Sequence, residues 1–248
     1  MINMTTIDAR GMHYRNLNDM IKNSIKTGEK EIFIKNVQGQ RYIGDGIQGK
    51  CKITIEGTPG NDMASYMDGP TIIVHGNVQE ATANTMNDGK VIVHGNSGDT
   101  LGYAMRGGEV YIKGNVGYRV GIHMKEYLEK KPIIVIGGKA GAFLGEYMAG
   151  GIIILLGLNI DDAQQVVGNY CGTGMHGGII YSRIPIDSYK LGKEAKQAQA
   201  EAEDMEIISS YVKKFSDYFG FDYRTIMDGQ FIKIYPYNHR PYGNLYAY

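Results

Sequence analysis

Glu56, His75 and His94 stand 19 residues apart, and carboxylates and imidazoles are side chains that build zinc-type centres. If each sits on one strand of a stack, neighbours lie ~4.8 Å apart and the outer two nearly 10 Å. Ligands must converge at about 2.0–2.2 Å from a single ion, which a straight column does poorly. The column therefore reads as a solvated outer face. His123, His176 and His239 fall in unrelated contexts and read as ordinary hydrogen-bonding residues. Cys51 and Cys171 are far apart and in no C-x-x-C spacing, which points to two free buried thiols. The spacing G-x-x-G-x-x-x-G occurs at Gly95/Gly98/Gly102, Gly114/Gly117/Gly121 and Gly138/Gly141/Gly145. A phosphate cradle would add Lys-Ser/Thr and a strand-to-helix switch, and neither follows. No G-x-S-x-G, H-E-x-x-H or paired-cysteine motif occurs. No catalytic, cofactor-binding or metal-ligating residue is assigned, and a free-standing hydrolase is disfavoured.

The elements that carry these residues form a repeat. Gly57, Gly76, Gly95 and Gly114 are each 19 residues apart, and the phase continues at Gly137 and Gly157 after four extra residues and then one. Repeats of this length are supersecondary units that bury their apolar side only by stacking. Two residues before each glycine stand Ile55, Val74, Val93, Ile112, Val135 and Leu155; four before stand Ile53, Ile72, Val91, Val110, Ile133 and Ile153. Period-2 alternation puts both sets on one inward face. The intervening column, Thr54, Ile73, Ile92, Tyr111, Ile134 and Ile154, should face outward. That would make an apolar stripe which a soluble monomer rarely leaves bare. Cover is expected from the Tyr-rich arm after Ile232 or the helix around Phe215, with a partner subunit as the alternative. Met67, Met86, Met105, Met124 and Met148 form a further inward column of adaptable core filling. Nineteen residues are too few for a βαβ unit, leucines are too scarce for leucine-rich repeats, and a hexapeptide period does not divide the repeat. A parallel β-helix with one coil per repeat fits best, its 35 glycines turning the corners.

At 248 residues with zero net charge, the chain can hold one large domain with appendages and shows no electrostatic footprint for nucleic acid or anionic membrane. It has no signal-like amino terminus and no long apolar run, so a soluble, cytoplasmic protein is expected. Three regions follow: an N-terminal strand and helix cap over 1–30, the β-helix over 31–183, and a C-terminal helical segment with a Tyr-rich arm over 184–248. The cap helix is predicted over Asn16–Lys26, with Gly28 as its stop. The alanine-rich run Gly192–Ala202 is helical by propensity. A stronger amphipathic helix carries Ile208, Tyr211, Val212, Phe215 and Phe219, and the closing FIKIYPYNHRPYGNLYAY reads as an extended arm.

The coils resemble the GXGXG domain, the carboxy-terminal β-helix of the glutamate synthase large subunit. The lead-in TIDARGMHYRNLNDMI, the block VGNYCGTGMHGGIIYSR and the terminal HRPYGNLYAY are similar to its free-standing form, so the resemblance spans residues 5 to 248. It implies a right-handed parallel β-helix of about seven coils. It also implies a non-catalytic scaffold subunit for glutamate biosynthesis in nitrogen assimilation. The partners implied are a glutaminase subunit, which frees ammonia from glutamine, and a synthase subunit holding FMN and an iron–sulfur cluster, which forms glutamate from 2-oxoglutarate. This chain opens Met1-Ile2 without a nucleophilic cysteine, and two cysteines are too few for a cluster held by three. No cofactor is therefore expected in this chain. The same coil motif occurs in the β-helix component of formylmethanofuran dehydrogenase, the alternative assignment.

Overall fold

The structure, a computed structural model, describes residues 4–160 and 166–237. Strand β1 (Met4–Asp8) leads to helix α1 (Tyr14–Lys26) and then to strands β2 (Glu31–Gln38), β3 (Lys52–Thr58), β4 (Asp68–His75) and β5 (Asp88–Val93). Next come β6 (Glu109–Ile112), β7 (Ile133–Ile136), β8 (Ala149–Leu155) and β9 (Gly177–Ser182). After a 3₁₀ turn at Ser188–Lys190 the chain forms β10 (Ala195–Gln199), α2 (Ala202–Phe219), α3 (Tyr223–Met227) and β11 (Ile232–Pro236). All these strands belong to one sheet in the order β1-β2-β3-β4-β5-β6-β7-β8-β9-β11-β10. From β1 to β9 every pairing is parallel, so each repeat returns the chain to the next rung of a β-solenoid.

The pairings confirm the two inward ladders and correct them at one coil. Ile55, Val74, Val93 and Ile112 stand in register, but Ile112 pairs with Ile136, not Val135, and Val110 pairs with Ile134. The coil glycine is thus Gly138, whose N–H donates to the Gly114 carbonyl. Gly114 and Gly138 are 24 residues apart, five more than the repeat, and Gly157 follows Gly138 after a regular 19. The five extra residues fall in the loop between Met124 and β7, where Tyr127 and Lys130 bridge each other. Ile134 and Ile136 are consequently core residues, while Ile133 and Val135 face outward. Ile134 therefore leaves the outward column assigned to it from sequence.

The methionine column is fully buried at Met67, Met86, Met105, Met124 and Met148, and it continues at Met175. Opposite the main sheet, single parallel bridges link Val78, Ser97, Val116, Ala140 and Val167 from coil to coil.

An asparagine ladder explains why the coils need glycine. Asn77 Oδ1 accepts the Asn96 N–H at 2.8 Å, Asn96 Oδ1 accepts the Asn115 N–H at 2.8 Å, and Asn115 Oδ1 accepts the Lys139 N–H at 3.0 Å. A Cβ at Gly114 would lie 2.2 Å from Asn96 Oδ1, and one at Gly138 2.1 Å from Asn115 Oδ1. Gly102, Gly121 and Gly145, the last glycines of the three motifs, share φ +68 and sit against isoleucine methyls. Their flanking corner residues, among them Thr100, Ala104, Arg119, His123, Phe143 and Tyr147, also have positive φ. Left-handed residues without glycine are strained, and here inter-coil hydrogen bonds hold them: the Thr100 N–H reaches Tyr118 O and the Ala104 N–H reaches Ile122 O.

Both ends of the solenoid are closed by the chain itself. Helix α1 buries Leu17 and Ile21 against the first coil, and the Asn18 side chain donates to the Arg41 carbonyl at 2.9 Å. At the other end the Cys171 N–H donates to Lys190 O and the Gly192 N–H to Cys171 O, making a partial further coil. The helix expected over Gly192–Ala202 is instead strand β10. Once Leu191 bridges Cys171, the chain is held extended, and Ala195 packs over Gly172 while β10 pairs antiparallel with β11. Intrinsic helix propensity yields to that tertiary pairing.

Candidate functional site

The outer face of the sheet is the broad surface a stacked solenoid can offer to partners, and most of it is occupied. Ile92, Tyr111, Val135, Ile154 and Tyr181 form the outward column of β5 to β9, and all are buried. Helix α2 lies on them through Ile208, Val212, Phe215 and Phe219. Each such buried side chain contributes about 1.5–3 kcal/mol. Gly137, which draws the sequence repeat one residue out of register, is small because a Cβ there would lie 2.1 Å from the Lys113 carbonyl oxygen of the coil below and 2.8 Å from Phe215 Cζ. The helix is started by a reciprocal capping box between Glu201 and Asp204 and stopped by Gly220 at φ 74.

Two tyrosines in the column bolt this helix down. The Tyr111 hydroxyl donates to Glu109 Oε2 at 2.8 Å, and Glu109 Oε1 takes a 2.6 Å ion pair from Lys214 of α2. The Tyr181 hydroxyl donates to Asp204 Oδ1 at 2.8 Å, and Asp204 Oδ2 pairs with Lys233 of β11 at 2.8 Å. Burial, then the neighbouring carboxylate, pushes both phenols well above their ordinary pKa, so they remain donors. Burial pushes the Asp204 carboxyl up. The hydrogen bonds from Lys233, the Glu201 N–H and Tyr181 outweigh it and leave the group below the usual carboxylate range. Cover thus comes from a tethered helix, one of the two intramolecular covers expected from sequence. The part of the arm beyond Tyr237 lies outside the described residues.

The imidazole column is also accounted for. Glu56 pairs with His75 across the strands, and the His75 and His94 rings stack with centroids 4.7 Å apart. His94 meets the edge of Phe219 at 5.1 Å. Desolvation, with repulsion from His75 and Lys113, lowers the His94 pKa and favours its neutral form. Among the described residues no group of three or more His, Cys, Asp or Glu side chains could hold a metal ion. His123 stacks on Tyr147 at 5.4 Å and takes no part in that column. Cys171 is buried and its thiol is pushed up to about 12 by desolvation, which also raises Cys51; both are free.

Among the surfaces that remain open, three run along the coils. On the outer face beyond the helix, Phe33, Thr54 and Ile73 of β2 to β4 are only half-buried. At the strand starts a polar groove of about 570 Å³ runs across four coils, its middle bridged by Lys130, which pairs with Asp68 at 3.0 Å and Asp88 at 3.5 Å. On the corner face aromatics project: Tyr103 edge-on to His123, His123 stacked on Tyr147, and Phe143 stacked on Tyr170, with the Arg119 guanidinium 4.8 Å above the Phe143 ring. Sequence reading missed this stripe because most of its members, His123, Phe143, Tyr147 and Tyr170, occupy corner positions with positive φ, a pattern that strand periodicity does not show. No helix among the described residues is long and apolar enough to cross a membrane.

Comparison with known proteins agrees with this architecture. The family model described as GXGXG motif matches residues 15–237, nearly the whole solenoid with its appended helices. This chain belongs to that family. It is also 52% identical to Uncharacterized protein MJ1350 of Methanocaldococcus jannaschii, over 97% of this chain and 95% of the relative. The likeness to that relative therefore takes in the solenoid and both of its ends.

Proposed function

We propose that this chain is the scaffold subunit of a multi-subunit glutamate synthase, joining a glutaminase subunit to a synthase subunit that holds FMN and an iron–sulfur cluster. The observation that carries the reading is the family match over residues 15–237, which makes almost the whole chain a GXGXG domain. The geometry supports a structural role. The residues that suggested chemistry are spent elsewhere: glycines pack against the asparagine ladder, histidines stack in a column, and the tyrosines of the outward column anchor α2. In this reading the chain supplies no catalytic residue and holds no cofactor, and its partners supply both.

The lid formed by α2 also directs where partners dock. Since the apolar stripe over β5 to β9 is filled intramolecularly, a partner meets surfaces that stay open, such as the three described above. A solenoid suits this task because its stacked coils present long, rigid faces at fixed separation. The test is co-expression with candidate glutaminase and flavin subunits, followed by size-exclusion chromatography. Co-elution of all three at a defined ratio is the expected result. Co-elution with a formylmethanofuran dehydrogenase assembly in its place would assign the chain to that complex.

A further inference from the structure

We propose that the open edge of strand β1 is a dimerisation site, where a second copy of this chain pairs antiparallel and extends the sheet across a two-fold axis at Thr6. Strand β1 stands first in the sheet and pairs with β2 on one side only. The Ala9 N–H donates to the Lys35 carbonyl at 2.9 Å. Strand alternation then turns the N–H and C=O groups of Thr5 and Ile7 toward β2, and those of Met4, Thr6 and Asp8 toward the free edge. Among the described residues nothing bonds to those edge groups. Helix α1 closes the core beneath, where Leu17 and Ile21 join Ile7, and it offers β1 no strand.

The composition and symmetry of this edge select a second copy as its occupant. Natural edges are blunted by lysine, proline, a bulge or an inward charge. Strand β1, MTTID, has none of these: its register with β2 is unbroken and its inward residues are Thr5 and Ile7. Its one charge, Asp8, is exposed and already held by the Asn36 side chain at 2.8 Å, the Arg10 N–H at 3.1 Å and Lys35 at 3.7 Å. The opposite edge strand, β10, reads AKQAQ and carries a lysine, so the two ends of the sheet differ. A two-fold axis at Thr6 makes β1 complementary to itself. Met4 then meets Asp8 of the second copy, Thr5 meets Ile7 and Thr6 meets Thr6, so no like charges oppose and a favourable threonine pair forms at the centre. Met4, Thr6 and Asp8 fall at hydrogen-bonded pairs, in which opposed residues exchange both N–H···O bonds. Exposed apolar surface lies at the same end, since Met4 is 58% and Met20 of α1 43% exposed. Such an isologous contact closes at two copies. Thr6 also stands in the outward column of Phe33, Thr54 and Ile73, so pairing joins two half-buried stripes into one face. The dimer forms from this chain alone and does not rest on the partners proposed above.

The test is sedimentation equilibrium of the full-length chain at micromolar concentration, where twice the mass of the chain is expected. Thr6→Pro removes an N–H that faces only the free edge, and Thr6→Lys sets two ammonium groups side by side across the axis. Both variants should be monomeric, and Thr6→Lys, at an exposed position, decides the matter if the proline variant fails to fold. Gln197→Lys, on the opposite edge, should stay dimeric. Disulfide formation under mild oxidation, in a Cys51→Ser background, reads the register. Opposed Thr6 Cα atoms would lie about 5.5 Å apart, within the ~4.4–6.8 Å that a disulfide spans, so Thr6→Cys should crosslink to itself. Met4→Cys should not, because the axis leaves the two Met4 positions roughly 14 Å apart. A monomeric unmodified chain, a dimer that survives Thr6→Lys, or Met4→Cys crosslinking as readily as Thr6→Cys would overturn the proposal. A chain that is monomeric alone but loses a different subunit through Thr6→Lys would give the edge to that subunit and overturn it equally.

Discussion

Gly114 and Asn96 should be energetically coupled, and the coupling tests the ladder that sets the coil spacing. A methyl at Gly114 would lie 2.2 Å from Asn96 Oδ1 but 3.1 Å from the Gly95 carbonyl oxygen, so the severe clash is with a side chain. Gly114→Ala alone must push Asn96 aside, which costs about 1–3 kcal/mol of overpacking. It also breaks the 2.8 Å bond from the Asn115 N–H, worth about 0.5–1.5 kcal/mol. Asn96→Ala alone loses that bond and its share of packing, about 1 kcal/mol. In Asn96→Ala/Gly114→Ala the obstructing oxygen is gone, and the cost should lie at least ~1 kcal/mol below the sum of the single variants. Gly76→Ala is the contrast, because there the Cβ would meet the Gly57 carbonyl oxygen at 2.2 Å and no side-chain change can relieve it. The assay is urea denaturation followed by circular dichroism. Additivity within about 0.3–0.5 kcal/mol would refute the packing argument.

Three further outcomes follow from the same structure. Met105→Ala should cost about 2–5 kcal/mol in the same urea assay, because Met105 is fully buried in the methionine column and truncation leaves a cavity; a change below ~1 kcal/mol would contradict that placement. A thiol reagent at neutral pH should modify Cys171 only on unfolding, since burial holds its thiol at about 12, while the half-buried Cys51 reacts slowly; rapid labelling of both in the native chain would contradict this. Asp204→Asn should destabilise the chain by about 1–3 kcal/mol at neutral pH. Its folded pKa is depressed, so the carboxylate's contribution is present above the ordinary carboxylate pKa of about 3.9 and is lost as pH falls through the folded value. Melting temperatures of the two proteins should converge on acidification, and a pH-independent difference would point to packing in place of charge.

Fold and register were legible where one physical rule acts alone. Alternation identified the inward residues of β3 to β6 and β8 because each coil repeats a strand with a buried face. It failed at β7 because Gly137 and Gly138 are adjacent and each is a glycine for a different reason. Gly138 clears the asparagine ladder, whereas Gly137 clears the Lys113 carbonyl oxygen and also faces Phe215 from a helix much later in the chain, contacts no local pattern contains. The run Gly192–Ala202 failed for a similar reason, its helix propensity overridden by pairing with β11. The asparagines were visible as G-N dipeptides, yet their role needs the coil stacking to be known first. The outward apolar column was legible as a surface that had to be covered, and α2 proved to be the cover. Which faces stay open for partners was not legible, since the corner residues with positive φ follow neither strand nor helix period.

The scaffold role is tested most directly by reconstituting the glutaminase and flavin subunits with and without this chain and assaying glutamate formation from 2-oxoglutarate. With ammonia as nitrogen donor, the synthase subunit should work in either case. With glutamine as donor, the rate should depend on this chain, and adding it should bring glutamine hydrolysis and glutamate formation to a one-to-one ratio. Equal glutamine-dependent rates with and without the chain, or a failure of the three proteins to associate, would contradict the account.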